Sequence, residues 1–258
     1  MTRPACALIA VLALISASAA LAASDKRPAP PGSFAGAPAQ YTRFSAAEIA
    51  RGFMALAFGS DLHVGAPAAG VRRFDHPIRA RVVAGGSVDR KAAMERILQE
   101  YAAKVQNLHL TVVPETEPAD IEVRLIDETS FAAAMRAAFG AGVTNEFVKR
   151  TDPQCMTSVT SGADGAIERA ITFVIVDKGE DVFLDCGYHE LLHAFGLSNH
   201  DQRNPWTTLN QTRKVGYLSV YDRALATLLY DPRIKPGMSK ERARKALRHV
   251  IESLGLGR

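Results

Sequence analysis

The stretch Cys186-Gly187-Tyr188-His189-Glu190-Leu191-Leu192-His193-Ala194-Phe195-Gly196 restricts the fold of this chain more than any other. His189 and His193 stand four residues apart. A helix puts that spacing on one face, where both imidazoles can turn toward one metal ion. Glu190 follows the first histidine, so the same helix sets a carboxylate beside the ion rather than on it. That is where a metal-dependent hydrolase keeps the group that takes a proton from water. Leu191, Leu192 and Phe195 cover the remaining faces, as a helix lying over a core requires. Gly196 suits a left-handed turn that ends the helix and returns the chain toward the metal. A further histidine, His200, comes four residues later. Three histidines and a glycine in so short a stretch point to Zn²⁺ rather than to a solvated histidine pair.

The elements around this helix set its fold class. Ile171-Thr172-Phe173-Val174-Ile175-Val176 is strongly strand-like and precedes the metal helix directly. Met156–Thr160 and Ala166–Val176 read as a hairpin across Ser161-Gly162-Ala163-Asp164-Gly165. Upstream, Ile78–Val83 and Leu108–Val113 read as strands. Ile121, Val123 and Leu125 alternate with Glu122 and Arg124, the pattern of a half-buried strand. Ser45-Ala46-Ala47-Glu48 is a capping box that opens a helix with Ile49, Phe53, Leu56 and Ala57 inward. Ser87 is expected to cap a longer helix reaching Val105, and residues 129–139 are expected to be helical. Residues 201–217 form a polar loop. Ser219–Asp222 opens the next helix, and Ser239 the last, whose Arg242, Arg244, Lys245 and Arg248 form a solvated face. The expected fold is α+β: a mixed β-sheet packed with helices, one of which carries the metal site.

Composition bounds the rest. The chain has 258 residues, 47% hydrophobic and 22% charged, with a formal charge of +4. No Lys/Arg block interleaved with aromatics occurs, so nucleic acid is not an expected partner. Residues 1–22 read as a secretory signal: Arg3 is the positive start, Ala7 to Leu14 the apolar core and Ala20-Leu21-Ala22 the cleavage site. That core is too short for a membrane span, so no stable membrane insertion is expected after its removal. Residues 23–43, rich in Pro, Ala and Gly, read as a flexible leader, and 44–258 as a single domain. Removal of the signal takes Cys6 with it and leaves Cys155 and Cys186. In an oxidising compartment that pair is expected to form a disulfide, worth roughly 3–4 kcal/mol by loop entropy. Cys186 also stands three residues before His189, which leaves a thiolate ligand as the competing use.

His189-Glu190-x-x-His193-x-x-Gly196 with a later ligand resembles the metzincin branch of zinc peptidases. In that branch the third ligand falls three residues after the glycine, where this chain has Asn199. A neutral amide is a poor zinc ligand. His200, one place later, needs a one-residue bulge and completes a three-nitrogen set. Asp201 is chemically acceptable and two places late. Thr207-Thr208-Leu209-Asn210 occupies the place of the family's Met-turn. Leu218–Asp222 through Leu228-Leu229-Tyr230 is similar to the closing helix of bacterial matrixin-like domains. Cys155, Cys186, the metal helix, and Tyr221-Asp222-Arg223 through Leu229–Arg233 and Pro236-Gly237-Met238 resemble a family of exported proteobacterial proteins.

The expectation is therefore an exported zinc metallopeptidase, periplasmic or secreted, acting on a peptide or protein substrate. His189, His193 and His200 would hold Zn²⁺, and Glu190 would be the general base. Tyr217 and Tyr221 are candidates for stabilising the oxyanion, and the strand before the metal helix for pairing with substrate. Asp222 is the candidate ligand if the third comes from farther downstream, but a capping box already accounts for it. Members of the exported family do not all keep both histidines, so a non-catalytic periplasmic binding module is the alternative. A closed, structural zinc site including Asp201 or Cys186 is a further one. No feature of the sequence specifies an oligomer. His63, His76, His109 and His249 are isolated and read as structural or surface groups.

Overall fold

A computed structural model describes residues 43–58, 70–140 and 154–257. The expected signal at 1–22, all but the last residue of the leader at 23–43, and His63 lie outside the described residues. The elements in chain order are α1 (Ala46–Phe58), β1 (Ile78–Val83), α2 (Lys91–Lys104), β2 (Leu110–Val112), β3 (Ile121–Ile126), α3 (Glu128–Phe139), β4 (Cys155–Ser161), β5 (Ile167–Ile175), α4 (Glu180–Phe195), α5 (Val220–Tyr230) and α6 (Lys240–Ser253). The strands form one mixed sheet in the order β2-β1-β3-β5-β4. Four are parallel, and β4 runs antiparallel to β5 at the edge. The α+β expectation holds, and no helix among the described residues is long and apolar enough to cross a membrane.

The period-2 pattern of the strands sorts the core into two layers. Ile78, Ala80, Val82, Ile121, Val123, Leu125, Ala170 and Val174 share one apolar cluster with α1, α2, α4, α5 and α6. The opposite face is covered by α3, whose Phe131 and Met135 pack on Met156, Phe173 and Ile175. Tyr101 of α2 fastens α4 to this frame: its hydroxyl donates to the Tyr188 carbonyl at 2.8 Å. The two helices approach closely at Gly187, where a Cβ would come within 2.8 Å of Ile97 Cδ1.

Local signals held where the bonds that carry them close within a turn. Ser45 and Glu48 form the reciprocal capping box, with Glu48 N–H on Ser45 Oγ at 3.2 Å and Ser45 N–H on Glu48 Oε2 at 2.9 Å. Ser219 and Ser239 cap α5 and α6. On α6, Ala243, Leu247, Val250 and Ile251 are buried, while Arg242, Arg244, Lys245 and Arg248 stay exposed.

Three expectations are corrected. Ser87 caps nothing: α2 begins at Lys91, and Ser87 gives both its N–H and its hydroxyl to Asp127 Oδ1, at 2.8 and 3.0 Å. β3 is not half-exposed at Glu122, which is buried. Its carboxylate is held by Arg81 of β1, by Arg124 at 2.5 Å and by Arg169 of β5 at 3.6 Å. A carboxylate is buried only when its charge is met, and here β3 itself and the two flanking strands supply the guanidinium groups. The strand before α4, expected to pair with substrate, has no free edge, because β5 is paired on both sides. The edge belongs to β4.

Candidate metal centre

His189 and His193 of α4 meet His200 in one cluster. His189 Nε2 lies 3.0 Å from both His193 Nε2 and His200 Nε2, and the last two are 3.1 Å apart. His189 and His193 come together through the helix repeat. His200 arrives through the turn that ends α4. Gly196 caps the helix at φ 120°, and Leu197 N–H reaches back to the Leu192 carbonyl at 3.0 Å. This turn aims the Leu197 carbonyl at His193 Nδ1, 2.6 Å away, and leads the chain to His200. His189 Nδ1 is likewise 2.8 Å from the Thr208 carbonyl. A carbonyl only accepts, so the hydrogen of each of these two rings sits on Nδ1 and the Nε2 lone pair faces the cluster.

That geometry fits a metal. Neutral imidazoles sustain Nε2 atoms at 3.0 Å with lone pairs facing each other only across a shared proton or cation. Burial, reinforced by His200, pushes the His189 pKa down to about 3. Burial, then the charges of His189 and His200, lowers that of His193 well below the usual imidazole range. Both rings are thus kept in the ligating form. All three nitrogens can be reached by one ion at the ~2.0–2.1 Å usual for zinc–imidazole bonds. The carbonyl partners on Nδ1 are the kind of support that fixes ring orientation at metal sites.

Glu190 lies beside the cluster, with Oε1 4.0 Å from His189 Nε2. It is buried, and Oε2 has no hydrogen-bond partner among the described residues. Burial raises its pKa to about 8, opposed by the Thr157 hydroxyl and assisted by the charge of Asp185. Thr157 of the edge strand β4 also donates to the Glu190 carbonyl at 3.0 Å, tying that strand to the helix at the site. The disulfide Cys155–Cys186, with Cα atoms 5.7 Å apart, makes the second tie between β4 and α4. Cys186 is therefore not available as a thiolate.

The other candidates stand apart from the cluster. Asn199 turns to α1, donating its amide to Ala55 O at 3.0 Å and its N–H to Leu56 O at 3.1 Å. Asp201 Oδ1 accepts from the main-chain N–H and Nε of Arg203, both at 3.2 Å. Asp222 is fully buried and accepts from Thr207 Oγ1 at 2.5 Å, Thr208 N–H at 2.9 Å and Ser219 Oγ at 2.9 Å. The capping role expected for Asp222 is thus half of its function. Its other half, support of the turn under His189, had no local signal. Thr208 and Leu197 likewise act through main-chain carbonyls, which no side-chain pattern announces. Tyr221 is buried with its hydroxyl 3.3 Å from the Glu48 carbonyl, so it serves the core. Loop 201–217 is more than polar cover: Trp206, Thr207, Thr208, Leu209 and Asn210 are all buried in it. His76, His109 and His249 lie outside the only cluster of metal-ligating side chains found among the described residues.

A family model described as "Protein of unknown function (DUF2927)" matches residues 46–249, from the start of α1 into α6. The match takes in every residue of the cluster. No curated protein matches the chain.

Proposed function

The chain belongs to the DUF2927 family, and we propose that this member is an exported zinc-dependent peptidase. The observation that carries the reading is the set of three imidazole nitrogens 3.0–3.1 Å apart with a buried, partly unpartnered carboxylate beside them. His189, His193 and His200 would hold the ion. When bound, zinc supplies a Lewis acid that acidifies water and polarises a carbonyl.

The remaining chemistry belongs to the chain. Glu190 accepts the proton of the attacking water and returns it to the leaving amine. The rise to about 8 that burial imposes on Glu190 applies without a nearby cation, and a dication beside it favours the carboxylate. Thr208 and Leu197 hold the rings in one tautomer, so the nitrogens need no rearrangement to bind. The edge of β4, fastened at Thr157 and Cys155, would take an extended peptide by strand addition. A disulfide suits an oxidising compartment, in line with an exported protein.

Metal analysis of the purified domain, followed by digestion of a peptide library, tests the reading. Wild type should carry one zinc and cleave. Glu190→Ala should keep the zinc and lose cleavage, and a chelator should silence wild type. A protein without stoichiometric zinc would instead support a binding module.

A further inference from the structure

The positive charge of this chain is concentrated at its last helix. Lys235 and α6 together hold six cations, Lys235, Lys240, Arg242, Arg244, Lys245 and Arg248, against two acids, Glu241 and Glu252. That excess is as large as the formal charge of +4 on the whole chain, so the remainder is balanced. All six cations are exposed. The one ion pair on the helix among the described residues joins Lys245 to Glu241 at 2.9 Å, a solvated contact of little strength.

Two features of this arrangement work against the free helix. Lys240 and Arg242 stand in the first turn, where the helix dipole favours anions. Lys240, Arg244 and Arg248 follow one another at four-residue intervals, and like charges so spaced weaken a helix. The helix is held in spite of both, by the Ser239 cap and by Ala243, Leu247, Val250 and Ile251 in the core. A surface of negative charge outside the protein would relieve both costs and gain from every cation.

The same geometry says what kind of surface that is. α6 has 14 residues, a length of about 21 Å at the usual rise. Lys240 and Arg248 are about 12 Å apart along it. A small anion meets one or two cations of such a row, whereas an extended anionic plane meets the whole row at once. The apolar face of α6 is already taken up by the core, so the helix can lie on a bilayer but has no side left to sink into it.

We propose that α6 is a docking surface for an anionic phospholipid bilayer, with Lys240, Arg244 and Arg248 set against the headgroup phosphates. The proposal stands apart from the metal centre and does not require the chain to be a peptidase. Purified protein is co-sedimented with vesicles of phosphatidylcholine alone and of phosphatidylcholine mixed with phosphatidylglycerol. Binding should be confined to the anionic vesicles and should weaken as salt is raised, because salt screens exposed charges.

Lys240→Gln, Arg244→Gln and Arg248→Gln combined should lower the affinity on the order of 100-fold, about fivefold for each cation. Arg136→Gln, Arg213→Gln and Arg223→Gln combined remove as many exposed cations from α3, loop 201–217 and α5, and should bind close to wild type. Absence of binding to the anionic vesicles overturns the proposal, as does equal binding to both vesicle types. Binding that ignores salt, or an equal loss in the two triple variants, also overturns it. Retention on heparin that depends on α6, without vesicle binding, would reassign the surface to a soluble polyanion. Where the α6 triple variant does not fold, the single substitutions serve, each expected to cost about fivefold. No loss in any of them overturns the assignment.

Discussion

Asp222 and His189 are linked through a single residue: Thr208 gives its N–H to the Asp222 carboxylate at 2.9 Å and takes the Nδ1–H of His189 on its carbonyl at 2.8 Å. A carboxylate on α5 thereby sets the orientation of a ring on α4, although the two helices are separated by the whole of loop 201–217. Asp222→Asn keeps the shape and removes the charge and one acceptor from a group that serves three donors. A buried donor left without a partner costs about 1–3 kcal/mol. We expect urea unfolding to show that loss. Zinc affinity, measured by competition with a chelator, should fall by roughly tenfold, near the lower end for supporting residues. Zinc lost outright from a folded Asp222→Asn protein would make Asp222 a ligand.

His200 and Asp201 are adjacent, and only one faces the cluster. His200→Ala should weaken zinc binding strongly, since it removes one of three nitrogens. Asp201→Ala removes only the partner of Arg203 and should leave the affinity within about a factor of ten. Isothermal titration of zinc into each variant decides between them, and the reverse ranking would transfer the ligand to Asp201.

The Cys155–Cys186 bond closes a separation of 31 residues between the edge strand and α4. Its removal by Cys155→Ser with Cys186→Ser should cost roughly 3–4 kcal/mol in chemical denaturation. Thiol titration of the denatured, unreduced protein lacking residues 1–22 should find no free thiol. Two titratable thiols would refute the bond.

Asp185 lies one turn before His189 and accepts Val215 N–H at 2.5 Å. Burial raises its pKa from 3.8 to about 6, while Val215 and Lys214 pull the other way. The folded state therefore binds its proton more tightly than the unfolded chain does. The ionised group is then a burden that appears as pH rises through this interval and is complete above about pH 6. Asn keeps the acceptor for Val215 without the charge. In the chelator-treated protein, Asp185→Asn should be more stable than wild type by about 1–3 kcal/mol at neutral pH. Urea midpoints taken across the acid range should show the advantage fading below pH 6 and gone near pH 4. An advantage that does not change with pH would show that the carboxylate is not the cause.

What the sequence determined by itself is whatever closes within about four residues. The His189–His193 face, Glu190 beside it, the Gly196 turn, the Ser45–Glu48 box and the Ser219 and Ser239 caps all rest on bonds of that range. The apolar periods of α1 and α6 and the strand character of β5 were legible for the same reason, because a repeat of 3.6 or 2 residues is written locally. The pairing of Cys155 with Cys186 could also be read from the sequence, by counting the cysteines left once Cys6 is assigned to the expected signal.

The tertiary structure decided the rest, because those choices depend on neighbours far along the chain. The sequence offered Asn199, His200 and Asp201 as three chemistries in a row. Only His200 lies in the imidazole cluster, and Asn199 is drawn away from it by α1, 144 residues upstream. Glu122 looked like the exposed half of a strand until β1 and β5 closed over it with arginines from 41 and 47 residues away. Ser87 lost its expected cap to Asp127, 40 residues on. Arg72 and Arg73 are the same residue type side by side. Arg73 meets four carbonyls and Arg72, among the described residues, meets none, a difference that exists only after α5 and the segment following it have packed against Arg73.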